Sequence, residues 1–199
     1  MIELEYLSKL REFYKEKGVP TIKEDGYKIL LEEAYKKQPT NILEVGTATG
    51  MSATALLITC PNAHLTTIEI MERSYLEAQK NFKNFELDSK ITQKLGDSLE
   101  VLKDIEGEFD FVFLDGSKSK YKKCLQLIEP HLKKGAIIVA DNVLFRGYIT
   151  GEVKCPRRFK TITKYMRQFL DYVFNGENYK SVMHKVGDGV SVSEYLKGE

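Results

Sequence analysis

Residues Asn41 to Ser52 read NILEVGTATGMS, and their reading decides the fold. An apolar run (Ile42, Leu43, Val45) meets a turn bearing Gly46 and Gly50, and the helix-like segment MSATALLIT follows at once. This is a strand, a glycine turn and a helix start. Glycine permits backbone angles and contact distances that a Cβ forbids, and the free N–H groups opening a helix attract polar or negative ligand groups. The turn is therefore read as a place to hold a ligand. GTATG matches neither phosphate-binding fingerprint, GxGxxG or GxxxxGK(S/T), so a mononucleotide carrying no phosphate suits it better.

Upstream, apolar residues at Leu4, Leu7, Leu10 and Phe13 or Tyr14 have helical spacing, and Gly18 ends that helix. After Val19 and Pro20, Thr21 is expected to cap a second helix, with Glu24 completing a capping box and Ile29, Leu30 and Ala34 forming the apolar face. Both helices are expected to pack over or beside the glycine turn.

Downstream, strands are expected from Ile42 to Gly46, Leu65 to Ile70, Ile91 to Leu95, Phe109 to Asp115 and Ala136 to Asp141. Helices are expected between them, from Ser52 to Thr59, Ser74 to Phe85, Leu99 to Ile105 and Tyr121 to His131. Such alternation predicts an α/β fold with an open, mostly parallel sheet and helices on both faces. Ligands bind such sheets at the carboxyl ends of the strands, where Gly46, Glu69, Gly96, Asp115 and Asp141 fall. Past Asn142 a loop runs to Pro156, and an amphipathic helix covers about Arg158 to Phe174. The runs SVMHKV and GVSVSEYL, joined by the tight Gly187-Asp188-Gly189 turn, then read as an antiparallel hairpin. The expected organisation is a single domain over 1–199, with a helical cap (1–38) before the α/β core (39–199).

At 199 residues, 42% hydrophobic and 30% charged, the chain has the composition of an ordinary soluble globular protein. No apolar run approaches the roughly 20 residues needed to span a bilayer, and MIELEYLSKLREF alternates acids and bases unlike a secretory signal. Cys60, Cys124 and Cys155 are far apart and in no metal-ligand spacing, which reads as reduced thiols in a cytoplasmic protein. The net charge of +1 neither demands nor excludes nucleic acid. Lys154, Arg157, Arg158, Lys160, Lys164 and Arg167 form a segment with no acid among them, which is either a binding patch or a solvated helix face.

Glu69 ends the second strand, placed to accept hydrogen bonds from vicinal ribose hydroxyls; the alternative is a surface glutamate. Gly96, Asp97 and Ser98 follow the third strand and on their own read as a turn or a helix cap. Asp115 closes FDFVFLD, and Asp141 and Asn142 close AIIVADN. Two carboxylates and an amide oxygen converging from adjacent strand ends make a hard oxygen site suited to Mg²⁺ or a similar ion, or else a pair of helix caps. His64, His131 and His184 are scattered and are given no catalytic role.

The ExGxxxG pattern of Glu44, Gly46 and Gly50 resembles motif I of class I S-adenosylmethionine-dependent methyltransferases, and the C-terminal hairpin resembles the one that ends their sheet. DGSKSKY and ADNVLFRG carry a narrower resemblance, to the cation-dependent O-methyltransferases that include the catechol and caffeoyl-CoA enzymes. The DxxK pattern is met by Asp115 and Lys118, and the DN pair by Asp141 and Asn142. The resemblance implies cofactor contacts from Glu44, Gly46, Thr47, Gly50, Ser52, Glu69, Asp97, Ser98 and Asp115, with Ser52 facing the methionine carboxylate. It also implies a metal held by Asp115, Asp141 and Asn142. Lys118 is then the candidate base, with Asp115 beside it; otherwise Lys118 is a solvated loop cation among Lys120, Lys122 and Lys123. The catechol enzymes' Asp-His-Trp-Lys is replaced by Asp115-Gly116-Ser117-Lys118, and the chain has no tryptophan to wall an aromatic ring.

The spelling NVLFRG, the basic segment and VGDGVSVS are most similar to bacterial tRNA 5-hydroxyuridine methyltransferases. That resemblance implies tRNA as partner, with Arg146 and the Lys154 to Arg167 cluster meeting phosphates, and a homodimer. A small catechol-like or vicinal-diol substrate is the alternative, and a non-catalytic cofactor-binding protein a further one.

Overall fold

The NILEV run forms strand β1 (Asn41–Val45), buried from Ile42 onwards. It lies parallel to β2 (His64–Glu69) on one side and to β4 (Phe109–Leu114) on the other. Burial along the whole of β4 is what a central parallel strand covered on both faces requires. β3 (Ile91–Leu95) extends the sheet beyond β2, and β5 (Leu132–Asp141) beyond β4, both in parallel. The hairpin of β6 (Tyr179–His184) and β7 (Val190–Tyr195) closes it, with β7 antiparallel to β5. The sheet is seven-stranded, ordered β3-β2-β1-β4-β5-β7-β6. Strand order therefore reverses direction at β1 and β4, and the crevice beyond their carboxyl ends is where such a sheet binds ligands. The structure is a computed structural model and describes residues 2–19 and 21–197.

Alternation along the strands sends side chains into two cores. Phe111 and Phe113 join a cluster with α1 (Ile2–Glu16), α2 (Glu24–Lys37), α3 (Met51–Thr59) and α4 (Glu72–Asn84). Val112 and Leu114 point the other way, toward α6 (Tyr121–Ile128) and α7 (Lys160–Phe174), with the short α5 (Ser98–Val101) alongside. Helices on both faces of a mostly parallel sheet with a C-terminal antiparallel hairpin match the expected fold class. No helix among the described residues is long and apolar enough to cross a membrane.

Most strand boundaries fall within a residue of expectation, but β5 begins well before Ala136. Leu132 pairs with Phe109, and a register shift between Phe109 and Phe111 accommodates the residues between Leu132 and Ile137. The helix expected from Leu99 to Ile105 is α-helical only as α5 and then tightens to a 3₁₀ turn, Leu102–Asp104. α6 likewise gives way to a 3₁₀ turn at Glu129–His131, where Pro130 has no N–H to continue the helix.

Thr21 does not cap α2. Lys23 occupies that position with no side-chain cap, and the acids Glu24 and Asp25 supply the favourable charge of the first turn instead. In α1, Leu7 and Tyr14 are buried while Phe13 is exposed, so the apolar stripe runs through Tyr14. Pro20 and the side chain of Leu4 lie outside the described residues. The hairpin turn is wider than Gly187-Asp188-Gly189, because the strands end at His184 and restart at Val190. Its tip bonds to the loop after β5: the Val143 and Leu144 amides donate to the Gly189 and Asp188 carbonyls, at 3.0 and 2.8 Å.

Candidate active site

A cavity of about 320 Å³ opens at the carboxyl ends of β1, β2, β4 and β5, lined by Gly46, Glu69, Gly96, Ser98, Asp115, Lys118, Asp141 and Asn142 among others. Glu69 is 8% exposed. Its Oε2 accepts from the Ala48 amide and its Oε1 from the Met71 amide, both at 2.8 Å. Each oxygen keeps a further lone pair, so the carboxylate is fixed in place yet able to accept two more hydrogen bonds.

The two motif glycines make the close approaches that a Cβ forbids, but to neighbouring parts of the protein. A Cβ on Gly46, whose φ is +105°, would lie 2.8 Å from the backbone of Asp115. The turn passes so close to the end of β4 that only glycine fits, and this brings Asp115 to the ligand crevice. At Gly50, with φ of +81°, a Cβ would lie 2.5 Å from the Phe82 ring. Gly50 seats the turn on α4 rather than approaching the cavity.

Behind the turn, Glu44 is wholly buried. It accepts from the Ser52 hydroxyl at 2.5 Å and the Thr67 hydroxyl at 2.6 Å. Because the Thr67 proton goes to Glu44, the Thr47 hydroxyl donates to Thr67 Oγ1 at 2.5 Å. The side-chain hydroxyls of Ser52 and Thr47 are thus spent on this network. Burial pushes the Glu44 carboxyl up to about 7; the two hydroxyl bonds oppose the rise, and the charges of Asp115 and Glu69 add to it.

Asp115, Lys118, Asp141 and Asn142 are brought together at the other side of the cavity. Lys118 Nζ is 4.0 Å from Asp115 Oδ1. Asp141 is 3% exposed; its Oδ1 accepts from the Asn142 amide at 2.7 Å, while its buried Oδ2 has no partner. Asn142 adopts a left-handed φ of 56°, a conformation asparagine tolerates better than most residues. Although a quarter of the Asp115 side chain is exposed, burial together with the Asp141 charge pushes its carboxyl up to about 7 against the pull of Lys118. Asp141 is also raised, chiefly by burial. Two carboxyls that burial and neighbouring negative charge leave unwilling to ionise, one with an orphaned oxygen, form a donor set that a divalent cation would satisfy. The residues present fit such an ion.

Asp97 departs from the cavity lining. Its Oδ1 accepts from the Leu99 amide at 2.9 Å, capping α5, and its Oδ2 pairs with Lys120. The Lys120 bond, then the Leu99 amide, hold its carboxyl below the usual range. That pair joins β3's end to the loop after β4, and only the spatial neighbourhood reveals it. Thr21, read as a helix cap, lines the cavity, as does Ile70. Tyr121 is core: it is 1% exposed, packs edge-on against Phe169 and donates to the Asp141 carbonyl at 3.1 Å.

In the basic segment, Lys154, Arg157, Arg158, Lys160 and Lys164 are exposed, as is Arg146. Arg167 is engaged instead with the carbonyls of Tyr148 and Ile149 at 3.1 to 3.3 Å, tying α7 to the loop after β5. Phe145, Tyr148 and Phe159 cluster there, with ring centroids 5.5 to 5.7 Å apart, and Arg146 and Arg158 stand over Phe159.

This sheet order, with its C-terminal hairpin and a crevice at the β1 glycine turn, is the Rossmann-like architecture of class I methyltransferases. A Staphylococcus aureus protein provisionally assigned to the caffeoyl-CoA O-methyltransferases shares it with a TM-score of 0.87 at 25% identity, over 95% of this chain and 91% of that one. A Bacillus cereus O-methyltransferase solved in complex with SAH has a TM-score of 0.82 at 19% identity, over 95% and 90% of the two chains. Residues 3–195 match the family model described as O-methyltransferase, and the chain belongs to that family. Relatives include a caffeoyl-CoA O-methyltransferase of Medicago sativa, 27% identical over 79% of this chain and 67% of its own length. A catechol O-methyltransferase of Niastella koreensis is 32% identical over 63% of this chain and 62% of its own length.

Proposed function

We propose that the protein transfers a methyl group from S-adenosylmethionine to a hydroxyl oxygen with the help of a divalent cation, and that the acceptor is 5-hydroxyuridine in tRNA. The observation that carries the chemistry is the pairing of the orphaned Asp141 Oδ2 with Asp115, Asn142 and Lys118 in one cavity. Asp115, Asp141 and Asn142 would hold the cation, which when bound lowers the pKa of a hydroxyl and favours vicinal oxygens, such as a 5-hydroxyl beside a 4-oxo group. Bound S-adenosylmethionine supplies an electrophilic methyl on a sulfonium. Glu69, fixed by two amides, would accept from the ribose hydroxyls, and Ile70 after β2 and Ser98 after β3 line the cavity. Lys118 is the group that would take the acceptor's proton as the methyl passes from sulfur to oxygen.

What supports the RNA acceptor is the surface beyond this site. Arg146, Arg157, Arg158, Lys160 and Lys164 are exposed beside the loop that starts at Asn142, and cations on such a surface position RNA through its phosphates. A second reading, a small catechol-like acceptor, is favoured by the caffeoyl-CoA and catechol activities of the relatives. Labelled methyl transfer to tRNA carrying 5-hydroxyuridine, with a catechol in parallel, separates the two: label in the tRNA is the expected result, and label in the catechol alone would replace it with the second reading.

A further inference from the structure

A narrow crevice adjoins the main cavity, sharing Thr21, Gly46, Ala48 and Asp115 with it and reaching Ser52 at the start of α3. Arg11, on α1 and outside the α/β sheet, also lines it. Arg11 is the one lysine or arginine lining this crevice among the described residues. Only 14% of its side chain is exposed, and the guanidinium lies flat over Tyr27, 3.4 Å from the ring centroid. Its present partners are weak: the Ile22 carbonyl at 3.3 Å and the Glu24 carboxylate at 3.4 Å, the latter 65% exposed and screened by water. A guanidinium has five N–H donors, so most of its capacity is unspent.

Asp115 lines the same crevice, and among the described residues no ion pair joins it to Arg11. A buried cation and a carboxyl that face one crevice without meeting complement a ligand carrying both a carboxylate and an ammonium group. While Glu44 is ionised, the single hydroxyl proton of Ser52 goes to it, and the Ser52 side chain offers no donor to the crevice. We infer that Arg11 binds the α-carboxylate of the amino-acid end of S-adenosylmethionine, so that the N-terminal helix completes the cofactor site. This inference rests on the cofactor reading proposed above.

The test compares S-adenosylhomocysteine, which carries the amino-acid end, with 5′-methylthioadenosine, which lacks it, by titration calorimetry on the wild type, Arg11→Met and Arg11→Lys. Methionine keeps an apolar stem over Tyr27, and thermal melting checks that the variants fold. Arg11→Met is expected to weaken S-adenosylhomocysteine by at least tenfold while leaving methylthioadenosine within about twofold, because a charge-assisted bond to a carboxylate is lost. Arg11→Lys is expected to fall between the two. Unchanged S-adenosylhomocysteine affinity in Arg11→Met, or equal losses for both ligands, would overturn the role of Arg11 while leaving the cofactor reading intact. Failure of the wild type to bind either ligand would overturn both.

Discussion

Lys118 is proposed to act in the chemistry, whereas Glu44 is a buried part of the fold. If Lys118 takes the acceptor's proton, Lys118→Met should lower the methyl-transfer rate by roughly 10² to 10⁴-fold, with cofactor affinity unchanged in a binding titration. A loss below about threefold would remove Lys118 from the chemistry. Glu44 is a buried carboxyl whose folded pKa of about 7 stands above its ordinary 4.5. The fold therefore binds this proton more tightly than the unfolded chain does. Its contribution to stability is fully present below pH 4.5 and is lost as pH rises through 7. At about 1.4 kcal/mol per tenfold change in proton affinity, the loss is on the order of 3 kcal/mol. Glu44→Gln should flatten that part of the profile in denaturant titrations between pH 4 and 8; an unchanged slope would show that Glu44 stays ionised in the fold.

Strands, turns and helices were readable from sequence where the cause is local. The hydrophobic run before GTATG, the alternation after it and the acids closing each strand all lie within short windows, and they place Gly46, Glu69, Asp115 and Asp141 at one edge of the sheet. What sequence could not show is packing across the chain. Gly50 exists for Phe82, 32 positions away in sequence, and Asp97 meets Lys120 through the folded sheet rather than through any motif. Arg11 approaches the glycine turn only because α1 folds back over it. The Gly50 account is testable: Gly50→Ala should cost roughly 1–3 kcal/mol, because a methyl must be forced against a packed ring on a left-handed backbone. Adding Phe82→Leu should recover part of that cost in urea denaturation. Equal losses for Gly50→Ala with and without Phe82→Leu would attribute the strain to backbone conformation alone.

The proposed tRNA acceptor assigns docking to the exposed cations of the Lys154 to Lys164 segment. Reversing both Arg157 and Arg158 to Glu should weaken tRNA binding and reduce the slope of log affinity against log salt by roughly one to two, since each cation that meets a phosphate releases a counterion. An affinity and salt slope identical to wild type would place the RNA elsewhere on the surface. The measurement that bears most directly on the proposed function is methyl transfer from labelled S-adenosylmethionine to tRNA carrying 5-hydroxyuridine, run with Mg²⁺, with EDTA, and with Mg²⁺ restored. The site of Asp115, Asp141 and Asn142 predicts label in the tRNA with Mg²⁺, none with EDTA, and recovery on restoration. Transfer that persists undiminished in EDTA would contradict the metal-assisted mechanism, and the absence of label in the tRNA under every condition would contradict the assigned substrate.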